Sequence, residues 1–199
     1  MKGLRLEALL GSFCGVNWHE PPAGKLAPLL KRDGQPSGLS YRAIPLSDAP
    51  PLYFREAAGG GAQSIAYLIR NERTGGKLLV APDVEALTPG LLMAIHEADA
   101  ILFDGTFWSN DELQKIKPTA RTALEMGHIP ITNRANPFNP STNTAVEGHS
   151  LNALRNSPAK HKIYLHINNT NPILRPGTER WEVETAGITI GQDGQEFEL

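Results

Sequence analysis

A single cysteine, Cys14, occurs in 199 residues. That excludes an intrachain disulfide or a cysteine-based zinc cluster within this chain, and it fits a reducing cytoplasm. No run of about 18 consecutive apolar residues occurs, so no membrane span is expected. The charge lacks a bias: 19 Lys and Arg stand against 21 Asp and Glu, net −2. Nothing in that balance favours nucleic acid or an anionic membrane as partner. The N-terminal apolar stretch from Leu4 to Leu10 is broken by Arg5 and Glu7. It is too short and too charged for the apolar core of a signal peptide, and reads instead as a short amphipathic helix or a strand. Internal repeats and low-complexity tracts are absent.

What is present suits one layered α/β domain spanning residues 1–199. Residues 1–61 are irregular, punctuated by Pro21-Pro22, Pro36, Pro45, Pro50-Pro51 and Gly59-Gly60-Gly61. Within them Leu39 to Ile44 suits a strand and Pro51 to Glu56 an extended segment, with the glycine run a mobile linker or an anion cradle. Residues 62–199 form the core part. Gln63 to Arg70 and Lys77 to Ala81 are β-prone runs around the turn 71–76, which predicts a hairpin. Thr88-Pro89 is an N-cap followed by a helix-starting proline, opening a helix to about Ala98 with Leu91, Leu92, Ile95 and Ala98 on its apolar face. Ala100 to Phe103 reads as a short buried strand ending in Asp104-Gly105-Thr106.

Helices are expected from Ser109 or Asn110 to about Ile116, with Asp111 and Glu112 in the first turn, and from Thr119 to Met126, stopped by Gly127. A further helix is expected over 144–156, a strand over 162–167, a helix over 178–186 and a closing hairpin of 188–190 with 196–199. Alternating strands and helices with added hairpins predict a mixed sheet.

Polar side chains delivered by apolar segments are the candidates for chemistry. Asp104 ends a buried strand, where a carboxylate either caps a neighbour or binds something. His166 ends another, just before Asn168, Asn169, Thr170 and Asn171. His128 follows Gly127, a residue that permits a sharp turn. Carboxylate and imidazole from separate strand ends are the parts of a zinc, iron or manganese site. The competing readings are a turn residue for Asp104, a core histidine bonded to backbone for His166 and a helix-terminal histidine for His128. Thr106, Trp108, Arg121, Asn168, Asn169 and Asn171 are further candidates for binding a polar substrate or orienting a histidine, against ordinary loop capping. His19, His96, His149 and His161 lie in polar or helical surroundings and read as surface or packing residues.

Four blocks, 74–78, 98–108, 121–128 and 166–174, together resemble the pyrroloquinoline quinone (PQQ) biosynthesis protein B family of the metallo-β-lactamase fold superfamily. A weaker similarity over 17–51 extends the resemblance across most of the chain. It implies an αββα sandwich, of which this chain supplies mainly the second half with a mixed sheet. Absent here are the superfamily's His-x-His-x-Asp-His-like segment and the family's cysteine cluster. The resemblance makes Asp104 and His166 metal ligands and His128 a substrate-facing proton donor. Arg121, Thr106, Asn168 and Asn169 remain substrate-binding candidates.

The activity it implies is metal-dependent, oxygen-using hydroxylation of a tyrosine in the peptide-derived PQQ precursor, in the cytoplasm. The implied cofactor is a divalent metal, iron or zinc. Two ligands are few for a catalytic ion, so metal binding is expected only with a complementary N-terminal half: the chain either pairs with another chain that carries that half or is a truncated or decayed copy. A homo-oligomer is the alternative partner arrangement. Two other functions stand beside this one: a non-catalytic carrier moving PQQ or its precursor to the periplasm, and a metal-dependent hydrolase of the same superfamily.

Overall fold

The computed structural model describes residues 10–14, 22, 24–47, 64–133 and 148–199. The expected extended segment of 51–56, the glycine run of 59–61 and nearly all of the N-terminal apolar stretch lie outside them.

Seven strands form one sheet in sequence order, each beside its predecessor. They are β1 (Leu26–Leu30), β2 (Pro36–Ser47), β3 (Ser64–Asn71), β4 (Lys77–Ala81), β5 (Ala100–Asp104), β6 (His161–Leu165) and β7 (Thr189–Ile190). β1 to β4 pair antiparallel. From β4 onward every pairing is parallel. The switch follows from the connections. The short turn after Asn71 returns the chain as a hairpin, whereas parallel neighbours need a long crossover. Helix α1 (Pro89–Glu97) lies in the crossover between β4 and β5, α2 (Ser150–Arg155) in that between β5 and β6, and α3 (Thr178–Thr185) in that between β6 and β7.

Helix α1 begins as expected. Thr88 accepts a hydrogen bond from the Leu91 N–H at 3.2 Å, and Pro89 takes the first turn. Its buried side is Leu91, Ala94, Ile95 and Ala98, spaced i, i+3, i+4, i+7. Leu92, expected on that face, turns outward and is exposed.

Alternate residues on the strands face opposite sides of the sheet. Ala66, Leu68, Leu79, Ala81, Ile101, Phe103 and Tyr164 share one face and are buried, in one core with Leu91, Ala94 and Ile95 of α1 and Leu151 and Leu154 of α2. The alternate positions Tyr41, Ile65, Tyr67, Ile69, Leu78, Val80 and Leu102 are only half-buried. Tyr41 and Tyr67 meet there with ring centroids 6.0 Å apart.

Three expectations are corrected. Residues 109–126 hold only two 3-10 turns, Leu113–Lys115 and Leu124–Met126. Asp111 and Glu112, expected in the first turn of a helix, are buried outside any α-helix. The predicted closing hairpin does not form. β7 pairs parallel with β6, and 196–199 is not a strand. The helix expected over 144–156 is Ser150–Arg155 among the described residues.

Candidate metal centre

The parallel strands carry the site at their carboxyl ends. Asp104 is the last residue of β5, in register with Leu165 at the end of β6. The chain after Asp104 must turn against β6. A Cβ on Gly105 would lie 2.8 Å from Tyr164 Cβ, so only glycine fits. One residue beyond β6 comes His166, with φ 57°. It is the one non-glycine residue with positive φ among those described. This left-handed backbone ends the strand and leaves the side chain exposed at the rim.

Asp104 is fully buried. Its Oδ1 accepts from the Thr106 N–H at 2.9 Å and from the Thr106 hydroxyl at 2.6 Å. Its Oδ2 accepts from the Val84 N–H at 2.9 Å and from His128 Nδ1 at 2.8 Å. Thr106 Oγ1 also lies 3.0 Å from His166 Nδ1 and 2.9 Å from the His166 carbonyl. A hydroxyl proton serves one acceptor at a time. With that proton on Asp104, the closest acceptor, Thr106 Oγ1 accepts from His166 Nδ1–H. In the neutral form both imidazoles then carry their proton on Nδ1 and keep an Nε2 lone pair, the state that a metal ligand needs. The two rings sit 5.4 Å apart, and His128 also meets Phe107 edge-on at 5.8 Å.

One ligand atom each from Asp104, His128 and His166 lie within 4.8 Å of one another. One carboxylate with two imidazoles suits zinc or ferrous iron, so the residues fit a divalent ion. The sequence resemblance gave two ligands; the fold adds a third candidate. Gly127, with φ 88° at the end of a 3-10 turn, delivers His128 into the group. Burial pulls the His128 pKa down, but the Asp104 hydrogen bond and charge, with Asp83 behind them, outweigh it and hold the imidazole above its ordinary value.

The other candidates are placed as follows. Thr106 is buried and spends its polar atoms on Asp104 and His166. Asn168 donates to Thr170 Oγ1 at 2.7 Å, while Asn169 is exposed in the same loop. Asn171 is buried and bonds the Gly105 carbonyl at 2.9 Å, tying the two strand-end loops together. Trp108 is buried in the core. Arg121 is exposed beside Glu125, and no described bond joins it to the cluster. His149 bonds the Ile131 carbonyl at 3.0 Å, and the His161 ring meets Phe197 at a tilt, with centroids 5.3 Å apart. His96 is exposed, and His19 lies outside the described residues.

Sequence reasoning missed two acids. Glu112 accepts from the Trp108 N–H at 2.6 Å and the Thr170 hydroxyl at 2.5 Å, holding both loops that flank the site. Burial pushes its carboxyl up, against both of those bonds. Asp83, in the turn after β4, places Oδ1 3.7 Å from His128 Nδ1. Burial raises its carboxyl, His128 lowers it, and the nearby Asp104 charge raises it again.

The profile of the β-lactamase superfamily domain matches residues 2–167. The chain belongs to that superfamily. Among its relatives it is 32% identical to coenzyme PQQ synthesis protein B of Cupriavidus necator, over 98% of this chain and 59% of that protein. It is 35% identical to the protein of the same name from Rhizobium meliloti, over 82% of this chain and 50% of that one. The chain thus spans between half and three-fifths of the length of these curated relatives. The crystal structure of Zn(2+)-bound PqqB from Methylobacterium extorquens superposes with a TM-score of 0.67 at 28% identity, covering 81% of this chain and 51% of that one. The expected superfamily fold is therefore borne out, with the mixed sheet of seven strands as its described part. Among the described residues no helix is long and apolar enough to cross a membrane.

Proposed function

We propose that this chain works in PQQ biosynthesis as the carboxyl-terminal part of a metal-dependent enzyme of the PqqB kind. The observation that carries the reading is the convergence of Asp104, His128 and His166 to within 4.8 Å. A divalent ion with open coordination positions would supply a place for oxygen and for a substrate group. The finer reading is hydroxylation of a tyrosine in the peptide-derived PQQ precursor, in the cytoplasm, with iron or zinc as the metal. Asp104 fixes His128 directly and His166 through Thr106, so both rings are aimed by one buried carboxylate. The half-buried sheet face supports a partner that covers it, either a chain carrying the preceding half of the domain or a second copy of this one.

A second reading has its own support. An imidazole held above its usual pKa beside a carboxylate can donate a proton to a leaving group. That suits a hydrolase of the same superfamily.

The test is metal content and affinity of the chain alone and mixed with the upstream half of a PqqB relative. The expected result is one divalent ion per chain, with affinity in His166→Ala falling by more than the about 10- to 100-fold typical of losing an outer-shell partner. His166 is exposed, so this variant should keep the fold, checked by its melting temperature. A chain that takes up no ion in either state overturns the metalloenzyme reading. Turnover of a tyrosine-containing precursor against turnover of model esters then separates hydroxylase from hydrolase.

A further inference from the structure

One hydroxyl, that of Thr170, joins two loops. It accepts from the Asn168 side-chain amide at 2.7 Å and donates its proton to Glu112 Oε1 at 2.5 Å. The other carboxylate oxygen, Oε2, accepts from the Trp108 N–H at 2.6 Å. The order of donors along this chain is forced. A backbone N–H only donates, and a carboxylate only accepts. The single Thr170 proton therefore goes to Glu112, and Thr170 takes its other bond from the Asn168 NH2 group. The opposite end of that amide, Oδ1, has no hydrogen bond among the described residues. Asn168 stands two residues beyond His166, and its backbone N–H bonds the Thr106 carbonyl at 3.1 Å. Its half-buried side chain is thus tied to the edge of the centre.

We propose that Glu112 is a positioning residue of this rim: through Thr170 its carboxylate turns the Asn168 amide so that Oδ1 is the free end, offered to a hydroxyl or N–H of a substrate. The use of that oxygen rests on the functional reading above; the relay itself does not. The relay can only reverse as a unit. Trp108 keeps Oε2 an acceptor, so a proton arriving on Glu112 sits on Oε1. Oε1 then donates to Thr170, the Thr170 proton turns to Asn168, and the amide flips to present its NH2 group. Burial favours that protonation by raising the Glu112 carboxyl, against the bonds from Thr170 and Trp108. Lys115 opposes it and Asp111 adds to it, both from the same loop as Glu112. Residues 105–109 and 168–171, packed against the carboxyl, carry no charged side chain. Glu112→Gln builds the reversal in at every pH. The Trp108 N–H claims its one acceptor oxygen, which leaves its NH2 group facing Thr170.

The test reads the Asn168 orientation in the chain alone, from NOEs between its side-chain N–H protons and the side chain of residue 170. The Glu112 carboxyl is followed in parallel by its 13C shift. In the wild type the NOEs should be strong while Glu112 is ionised and vanish as it takes up its proton, with a midpoint above the ordinary glutamate range. Glu112→Gln should lack them throughout. Thr170→Ser, which keeps the hydroxyl, should follow the wild type. NOEs that ignore the Glu112 titration, or that persist in Glu112→Gln, overturn the relay; the wild-type titration decides this without any variant having to fold. Affinity for the dipeptide glutamyl-tyrosine is then read by titration calorimetry, in whichever state, alone or with the upstream half, binds it. It should fall about 10-fold in Glu112→Gln. Equal affinity overturns the substrate role of Asn168 and leaves the relay standing. A wild-type chain that binds no dipeptide in either state overturns that role together with the tyrosine reading above.

Discussion

The two faces of the sheet are made by the same strands yet end in different states. Under α1 and α2, Leu79, Ala81, Ile101 and Phe103 are fully sealed. One residue along on the same strands, Leu78, Val80 and Leu102 are half-buried. β-propensity and pairing are shared by both sets, so the difference comes from the layer above them. A sheet face is only as buried as its cover, and apolar residues on the less covered face are the ones placed to receive another layer.

The sharpest way to break this comparison is to truncate the sealed face. Phe103→Ala should cost about 3–5 kcal/mol, read as a lower denaturant midpoint at unchanged slope. A loss below about 1 kcal/mol would mean that the face is not packed as described.

Next in size is Tyr164, in register with Phe103 and fully buried, its hydroxyl 2.9 Å from Ser150 Oγ. Tyr164→Phe should cost about 1 kcal/mol by leaving Ser150 short of a partner. Burial also pushes the Tyr164 phenol far above its ordinary value, with the Ser150 bond opposing. The unfolded chain therefore releases this proton first. The stability linked to it is fully present below about pH 10 and falls as the pH rises past that point. Tyr164→Phe should flatten that alkaline decline in melts run across the range. An unchanged slope would place the decline elsewhere.

The smallest effect belongs to the half-covered face. Val80→Ala should cost about 1 kcal/mol or less. If an upstream half docks over this face, its addition should raise that cost toward values typical of a core. A cost that stays the same with the partner bound would put the docking surface somewhere else.

Much of this fold was legible in the sequence, for local reasons. The strands 64–71, 77–81 and 100–104 are short apolar, β-prone runs bounded by turn residues, and Thr88-Pro89 is a helix start that needs no tertiary context. β1 was not read, because Pro28 and the prolines around it broke the pattern while pairing with β2 supplied the strand. The loop of 109–126 was misread because acids placed like helix-start residues in fact accept hydrogen bonds across the structure, Glu112 from Thr170. At the site, Asp104 and His166 were visible as polar ends of apolar runs, and His128 through Gly127. Asp83 carries no such signal. It lies in a turn, and its relation to His128 exists only once β4 and the 127–128 corner come together.

The left-handed backbone at His166 sets two demands on one position. The backbone there would rather have no Cβ, by about 1–2 kcal/mol, while the proposed metal centre calls for the imidazole. A laboratory selection for heat resistance alone should therefore drift toward glycine at this residue, yielding a sturdier chain without the imidazole that the proposed function needs.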